Sequence, residues 1–543
     1  MKRSLSTWSL LLASISAILG SGWLFTTLYT SQLAGPASLL SWVIGGVAVI
    51  MVAFVFAELC AMLPVTGSSI RIPLFTHGTV VSFMFSWAIW LSYMALVPTE
   101  VQAIIQYFSY FFPKLVYVSG GLTHTGYAVA VVMMLLISAL NTYSLRWLMR
   151  CNSFLTVLKV LIPIGLVAVI FYYLYHQVPA SKTVTAMMAE KLTPFNPEGW
   201  RGILSALAAG GILFAFNGFK QACEMAGEAK RPAIAMPIAV IGSVVVSLLV
   251  YLLLQLAFLF SLSHGNLLHG WHELFLRSGN SPFVTILHED HLNYLTPILY
   301  TGAIIGPLAA GMMYMGSASR SLYGMSKNNQ ITRLFFHLNT QQSPVYAILL
   351  NFVLGLLMFA PLPGWNSMII FLTSLMATTY GLGPICLLAL RRRQPNQYRP
   401  FKLPFPGVWS YIAFYICTLL TYWSGWNIVS KMCVAMFLGL LVMLGNFYFR
   451  PKSYQDLHRL DWRESSWVWP YFVGIGIFSY LGTFGGGMGK ITFGWDLVYL
   501  AVFCLAILGI AVRYSLPSYK IKEYIQGLDL PTPPTDTASG KIK

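Results

Sequence analysis

Acidic residues are scarce in this chain of 543 residues, with 16 Asp+Glu against 33 Lys+Arg, and charged side chains of both signs make up only 9% of it. Soluble globular domains carry roughly a quarter charged residues, so an ordinary water-soluble enzyme is excluded. Cysteine is also sparse: Cys60, Cys151, Cys223, Cys386, Cys417, Cys433 and Cys504 include no CxxC pair, which implies neither a disulfide framework nor a thiolate zinc site. A nucleotide-binding loop is missing too. Gly485-Gly486-Gly487-Met488-Gly489-Lys490 imitates one but lacks the Ser/Thr after the lysine, which removes a primary ATP-driven pump. What the chain has in excess is apolar surface, 57% of its residues, and a mean hydropathy of +0.69. It reads as an all-α polytopic membrane protein.

A span needs about twenty largely apolar residues. About fourteen such stretches occur, beginning near Trp8, Ala37, Thr79, Gly126, Ser153, Gly202, Ala233, Asn293, Pro344, Ser367, Trp409, Ser430, Ser466 and Trp495. The first follows Lys2 and Arg3 and lacks a convincing cleavage site, so it reads as a retained helix rather than a signal peptide. Placing the N-terminus in the cytoplasm puts 24 of the 33 Lys+Arg on the inner side, among them Arg71, Arg320 and the run Arg391–Arg393. Such a bias puts both termini inside, and it makes the net charge of +17 a matter of membrane orientation rather than of nucleic-acid binding. The polar, Pro-rich end of the chain, 530–543, reads as disordered.

Two spans carry glycine clusters where a helix in lipid would need a reason to break. The first holds Leu19-Gly20-Ser21-Gly22-Trp23; the sixth holds Gly210-Gly211 and Phe214-Ala215-Phe216-Asn217-Gly218-Phe219. Non-helical backbone at membrane depth must be buried or line a cavity, so breaks in corresponding spans of two halves mark a transporter's binding site. Unwinding at Gly20–Gly22 exposes amides at the start of a half-helix, which favours a carboxylate, and Ser21 adds a hydroxyl. Unwinding at Phe214–Gly218 frees carbonyls that suit an ammonium. Together they describe a receptor for an amino-acid zwitterion. The bland alternative is close helix packing through small residues.

These motifs resemble the amino acid–polyamine–organocation permeases. The resemblance extends to Glu224…Gly227-Glu228-Ala229-Lys230-Arg231-Pro232, Ala57-Glu58-Leu59…Pro64…Gly67, Ser319-Arg320-Ser321-Leu322-Tyr323-Gly324 and Arg399-Pro400-Phe401-Lys402-Leu403-Pro404, spread in family order over about residues 8–450. Thr76-His77-Gly78 and Val97-Pro98-Thr99-Glu100-Val101-Gln102 look most like the aspartate:proton symporter branch. The resemblance implies a LeuT-type fold whose spans 1–5 and 6–10 form inverted repeats. This gives a ten-helix core over 8–390, helices 11 and 12 over 391–450, additional helices 13 and 14 over 451–513, and a cytoplasmic tail over 514–543. It implies that Ser21 and Gly22, next to Gly20, hold a substrate carboxylate. The carbonyls of Ile18, Phe214 and Asn217, beside Gly218, would hold the ammonium, with Phe214 or Phe216 as an aromatic gate. Trp23 and Arg71 depart from the family pattern: the first is expected to narrow the pocket, the second to alter substrate preference.

Ionisable residues inside spans are expensive and by default functional. Lys159, in span five, matches the lysine that in proton-coupled relatives stands where sodium-coupled ones hold their ion; its alternative is to snorkel to the interface. Glu100, midway along span three, is a proton carrier or a structural carboxylate at a Pro98 kink. Lys220 either faces the substrate as a counter-charge or pairs with Glu224 one turn on. Glu58 is read as structural. The outer loop before span eight holds His264, His269, His272, His288 and His291 in no metal-binding spacing. The expectation is an amino-acid/proton symporter of the inner or plasma membrane, favouring acidic substrates and using no cofactor or metal. An exchanger on the same fold is the nearest alternative. A non-transporting sensor or a polytopic membrane enzyme follows, though the long loops 178–200 and 261–292 hold no catalytic constellation.

Overall fold

The computed structural model describes residues 3, 5–117, 120–143, 145–176, 192–274, 281–328, 330–449, 460–526, 528 and 530, with the side chains of 145–151 and 264 outside that set. Among the described residues regular structure is helical, and pairing of extended backbone is limited to the isolated bridges Leu5–Ala229 and Val116–Leu122. In chain order the helices are α1 (Thr7–Ile18), α2 (Gly22–Ala34), α3 (Ser38–Met62), α4 (Ser68–Phe108), α5 (His124–Leu140), α6 (Leu145–His176), α7 (Gly199–Ala208), α8 (Ile212–Ala215), α9 (Gln221–Glu224) and α10 (Pro232–Ser261). They continue as α11 (Pro282–Glu289), α12 (Thr296–Lys327), α13 (Val345–Leu357), α14 (Gly364–Arg393), α15 (Pro406–Trp423), α16 (Trp426–Tyr448), α17 (Val468–Leu481), α18 (Trp495–Arg513) and α19 (Ser518–Ile525).

Among the described residues eight helical stretches are long and apolar enough to cross a membrane, against the fourteen expected spans. The difference has a physical source in spans one and six. The first is cut at Leu19–Ser21 into α1 and α2, and the sixth at Ala209–Gly211 and again at Phe216–Lys220, so no single piece of either has full length apart from α2 continuing into α3. The helices His124–Leu140, Val345–Leu357 and Val468–Leu481 are apolar but shorter than eighteen residues.

Burial separates a centre from a rim. The most apolar window of α4 is 89% buried and that of α14 is 94%, whereas those of α16 and α18 are 28% and 33% buried. Helices α4 and α14 therefore bury both faces in protein, packing on each other and on α12 and α15, while α16 and α18 keep an apolar face outward as a lipid-facing helix does. The third span starts at Ser68, earlier than the expected Thr79, because the chain continues through a sharp bend at Gly78 (φ 78°). Asp461 accepts the Thr79 amide there at 3.0 Å. Pro98 lies inside α4, where the helix runs on through it.

Glu58 closes the charged end of α3. Its Oε1 lies 2.7 Å from Arg391 Nε, and its Oε2 accepts the Leu403 amide at 2.8 Å, tying α3 to the end of α14 and to the loop after it. After α18 the chain turns back: the Leu516 amide donates to the Thr76 carbonyl (2.8 Å), and Tyr524 of α19 stacks on Phe75. Residues 531–543, expected to be disordered, lie outside the described residues. Cys60, Cys223, Cys386, Cys417, Cys433 and Cys504 are free thiols. No group of three His, Cys, Asp or Glu among the described residues could hold a metal ion.

Candidate functional site

A broken helix leaves orphan carbonyls at one cut end and orphan amides at the other. In the first span each described partner can be named. At the end of α1, the Ile15 carbonyl accepts the Leu19 amide (2.9 Å) and the Ile18 carbonyl accepts the Gly20 amide (2.9 Å). The remaining two are met by other helices. Lys159 Nζ of α6 donates to the Ser16 carbonyl (2.7 Å) and to Ser16 Oγ (3.1 Å), and the Tyr314 hydroxyl of α12 donates to the Ala17 carbonyl (2.6 Å). The Tyr251 hydroxyl of α10 lies 2.9 Å from both the Ile18 and the Ala215 carbonyls and shares its proton between the two broken spans. Lys159 is 3% exposed, so it does not snorkel: an ammonium at the negative end of α1 is placed where the half-helix dipole favours a cation.

The opposite cut end receives the opposite charge. The Ser21 amide, at the start of α2, donates to Glu100 Oε2 at 2.8 Å. A Cβ at Gly20 would lie 2.5 Å from Glu100 Oε1, so only glycine admits the carboxylate this close to the backbone. The Ser21 hydroxyl, expected as a substrate donor, accepts from Trp365 Nε1 of α14 (2.8 Å).

The sixth span faces this break. At Gly22 a Cβ would come 3.1 Å from Ala215 Cα, and at Gly218 (φ 124°) it would come 2.6 Å from the carbonyl carbon of Ala17, so glycine is what lets the two breaks touch. The Phe214 carbonyl accepts the Asn217 amide (2.9 Å), and the Asn217 carbonyl lies 3.2 Å from the Tyr314 hydroxyl. Asn217 Oδ1 accepts from Tyr380 of α14 (2.6 Å), and Asn217 Nδ2 donates to Tyr314 (3.2 Å). Phe214 stands edge-on to Trp365 at 5.5 Å, whereas Phe216 is wedged between Trp42 and Tyr251, within the scaffold.

The structure thus brings Ile18, Gly20, Ser21, Gly22, Phe214, Asn217, Gly218, Glu100 and Lys159 together and leaves other expected residues apart. Lys220 is buried, but its ammonium lies 3.5 Å from Thr379 Oγ1 and over the rings of Tyr380 (4.6 Å) and Phe56 (5.5 Å). It lines a small cavity of about 20 Å³ with Phe56, Ser68 and Thr379. Glu224, one turn on, receives the Tyr93 hydroxyl (3.3 Å) and lies within electrostatic reach of the Lys220 ammonium. The Trp23 ring packs against the glycine notches Gly302 and Gly306 of α12 and tilts onto Phe283. Arg71 lines a second cavity of about 610 Å³ at the basic end of the bundle, together with Arg3, Arg320, Lys327, Glu224 and Glu228. That cavity reaches Tyr93 and Gln221; Tyr93 stacks on Tyr314 (6.2 Å), so one aromatic layer separates it from the two breaks. Sequence reasoning missed Tyr251, Tyr314, Tyr380 and Trp365, because one aromatic hydroxyl or indole in a membrane helix gives no sign of which carbonyl it will meet.

Residues 5–478 match the family model described as amino acid permease. The glutamate/serine transporter AimA of Bacillus subtilis is 30% identical over 535 residues, covering 96% of each chain. The aspartate-proton symporter of the same organism is 30% identical over 522 residues, 96% of this chain and 98% of its own. Among solved structures, a mutant manganese transporter from Eremococcus coleocola superposes with a TM-score of 0.50 at 12% identity, over 95% of each chain, which bears on the fold alone.

Proposed function

The chain belongs to the amino acid permease family, and from that premise we propose that it imports amino acids by proton symport through alternating access, with acidic amino acids preferred. It is an integral protein of the cell membrane and a transporter, not an enzyme. The observation that carries the proposal is the pair of facing breaks with a buried ammonium, Lys159, on one cut end and a buried carboxylate, Glu100, on the other.

In this reading the core over 8–390 is a LeuT-type pair of inverted repeats, followed by helices 11–12 over 391–450, helices 13–14 over 451–513 and the tail over 514–543. Fourteen spans place both termini in the cytoplasm, and the 610 Å³ cavity is the inner vestibule. The amides beside Gly20, Ser21 and Gly22 receive the substrate carboxylate. The Phe214 and Asn217 carbonyls, next to Gly218, receive its ammonium, together with the Ile18 carbonyl, which takes it in exchange for the Tyr251 hydroxyl. Phe214, which meets Trp365 beside Ser21, is the aromatic gate in preference to the enclosed Phe216. Lys159 and Glu100 carry the coupling, since desolvated charges of opposite sign can change protonation state as neighbouring charge arrives or leaves. Arg71, Arg320 and Lys327 make the vestibule net basic against Glu224 and Glu228, which favours an anionic substrate on the inner side. Two relatives named for glutamate and aspartate point the same way.

The test is uptake of labelled aspartate, glutamate and serine into proteoliposomes with and without an inward proton gradient. Accumulation that requires the gradient supports symport. Uptake that requires amino acid loaded inside identifies an exchanger.

A further inference from the structure

The amide that opens α2, where an incoming carboxylate is expected, already holds one: Glu100 Oε2 sits 2.8 Å from the Ser21 nitrogen, and its other oxygen lies 2.5 Å from where a Cβ on Gly20 would stand. Glu100 is 2% exposed and comes from the C-terminal part of α4, the helix that also carries Tyr93 to the vestibule. At the opposite break the Ala215 and Asn217 carbonyls are met by the neutral hydroxyls of Tyr251 and Tyr314, which also reach Ile18 and Ala17. Closed in this way, the site has its anionic place filled by one of its own side chains. The geometry points to Glu100 as a tethered competitor that occupies the substrate-carboxylate site and must be displaced, by taking a proton, before an amino acid can bind.

This inference rests on the proposed function and adds an order of events and a stoichiometry. One proton from solution adds to the Glu100 carboxylate. The neutral carboxyl group gives up the Ser21 amide, and the substrate carboxylate accepts it instead. One negative charge leaves the half-helix end and one arrives, so the charge facing Lys159 is unchanged. The titratable groups within electrostatic reach of Glu100 are Lys159 of α6, Tyr251 of α10 and Tyr314 of α12. The two phenols ordinarily ionise near pH ~10, which leaves Lys159 as the other group that could exchange the proton. The swap therefore predicts one proton taken up per amino acid bound, in contrast to a merely structural cap, which would take up none. It also assigns Gly20 its role: any side chain there would expel the competitor.

The experiment is equilibrium binding of aspartate and of serine to purified full-length protein across a pH series, with proton uptake read from calorimetry in two buffers of different ionisation enthalpy. Wild type, Glu100→Gln and Glu100→Ala are compared, each checked for a normal thermal transition. For wild type, apparent affinity should fall about tenfold per pH unit once Glu100 ionises, since only the protonated fraction is competent. About one proton should enter per amino acid. Both variants should bind with a flat pH profile, take up close to no proton, and bind more tightly than wild type at high pH. Variants that keep the wild-type slope and proton uptake would overturn the inference and move the titration to Lys159. Wild-type protein that binds with no proton uptake would also overturn it, while leaving amino-acid transport standing. Failure of wild type to bind any amino acid would instead strike the proposed function itself.

Discussion

The two breaks are built from the same kind of sequence, glycines beside a small polar residue, yet they are completed differently. At the first, ions stand on the cut ends beside the Tyr251 and Tyr314 hydroxyls that meet Ile18 and Ala17: Lys159 on the carbonyl end of α1 and Glu100 on the amide end of α2. At the second, the groups that complete the break are neutral, Tyr251, Tyr314 and Tyr380 hydroxyls on Ala215 and Asn217. Ions at half-helix ends respond to pH and to the arrival of a charged ligand; phenols at carbonyls hold their geometry across the physiological range. The difference divides the labour. The first break is where a proton can be exchanged, and the second is where shape and hydrogen bonding are fixed.

The comparison can be broken most severely at the first break. Ser21→Trp fills the space between Glu100 and Trp365 and should abolish amino-acid binding while the protein still inserts and purifies as a monodisperse species; normal affinity would remove Ser21 from the site. Lys159→Ala should leave facilitated exchange but bring proton-driven accumulation down to equilibration, a loss visible as an accumulation ratio near unity. Retained accumulation would show that the ammonium only fastens α6 to the end of α1.

Weaker effects sharpen the other side. Tyr314→Phe leaves the Asn217 carbonyl of the second break without its hydroxyl donor, and the Ala17 carbonyl with it, and should lower stability by about 1–3 kcal/mol, the usual result of orphaning a buried acceptor. Thermal unfolding would measure that, and the pH profile of transport should stay as in wild type. A shifted profile would mean that the second break also titrates. Lys220→Ala should change uptake of aspartate and serine by the same modest factor, because the ammonium lies between Thr379 and two aromatic rings. A selective loss of aspartate uptake would return Lys220 to the substrate.

Much of the centre was legible before the fold was seen. Glycines at Gly20, Gly22 and Gly218 announce breaks because lipid offers an unpaired backbone nothing, and Lys159 and Glu100 stand out because an apolar span makes any ion conspicuous. The partners were not legible. Which tyrosine meets which carbonyl depends on helix packing, and the direction of Lys220 could not follow from helical periodicity because it sits just past a break, where rotation about the axis is lost. The sharp bend of α4 at Gly78 was not legible for a related reason: Gly78 adopts a positive φ beside the Asp461 carboxylate, a partner far along the chain.

The measurement that bears most directly on proton exchange at the first break is lumenal pH in proteoliposomes carrying a trapped indicator, followed when aspartate or serine is added outside with no imposed gradient. Acidification that tracks substrate entry in wild type and disappears in Lys159→Ala is the expected result. Substrate entry with an unchanged lumenal pH in wild type would contradict it.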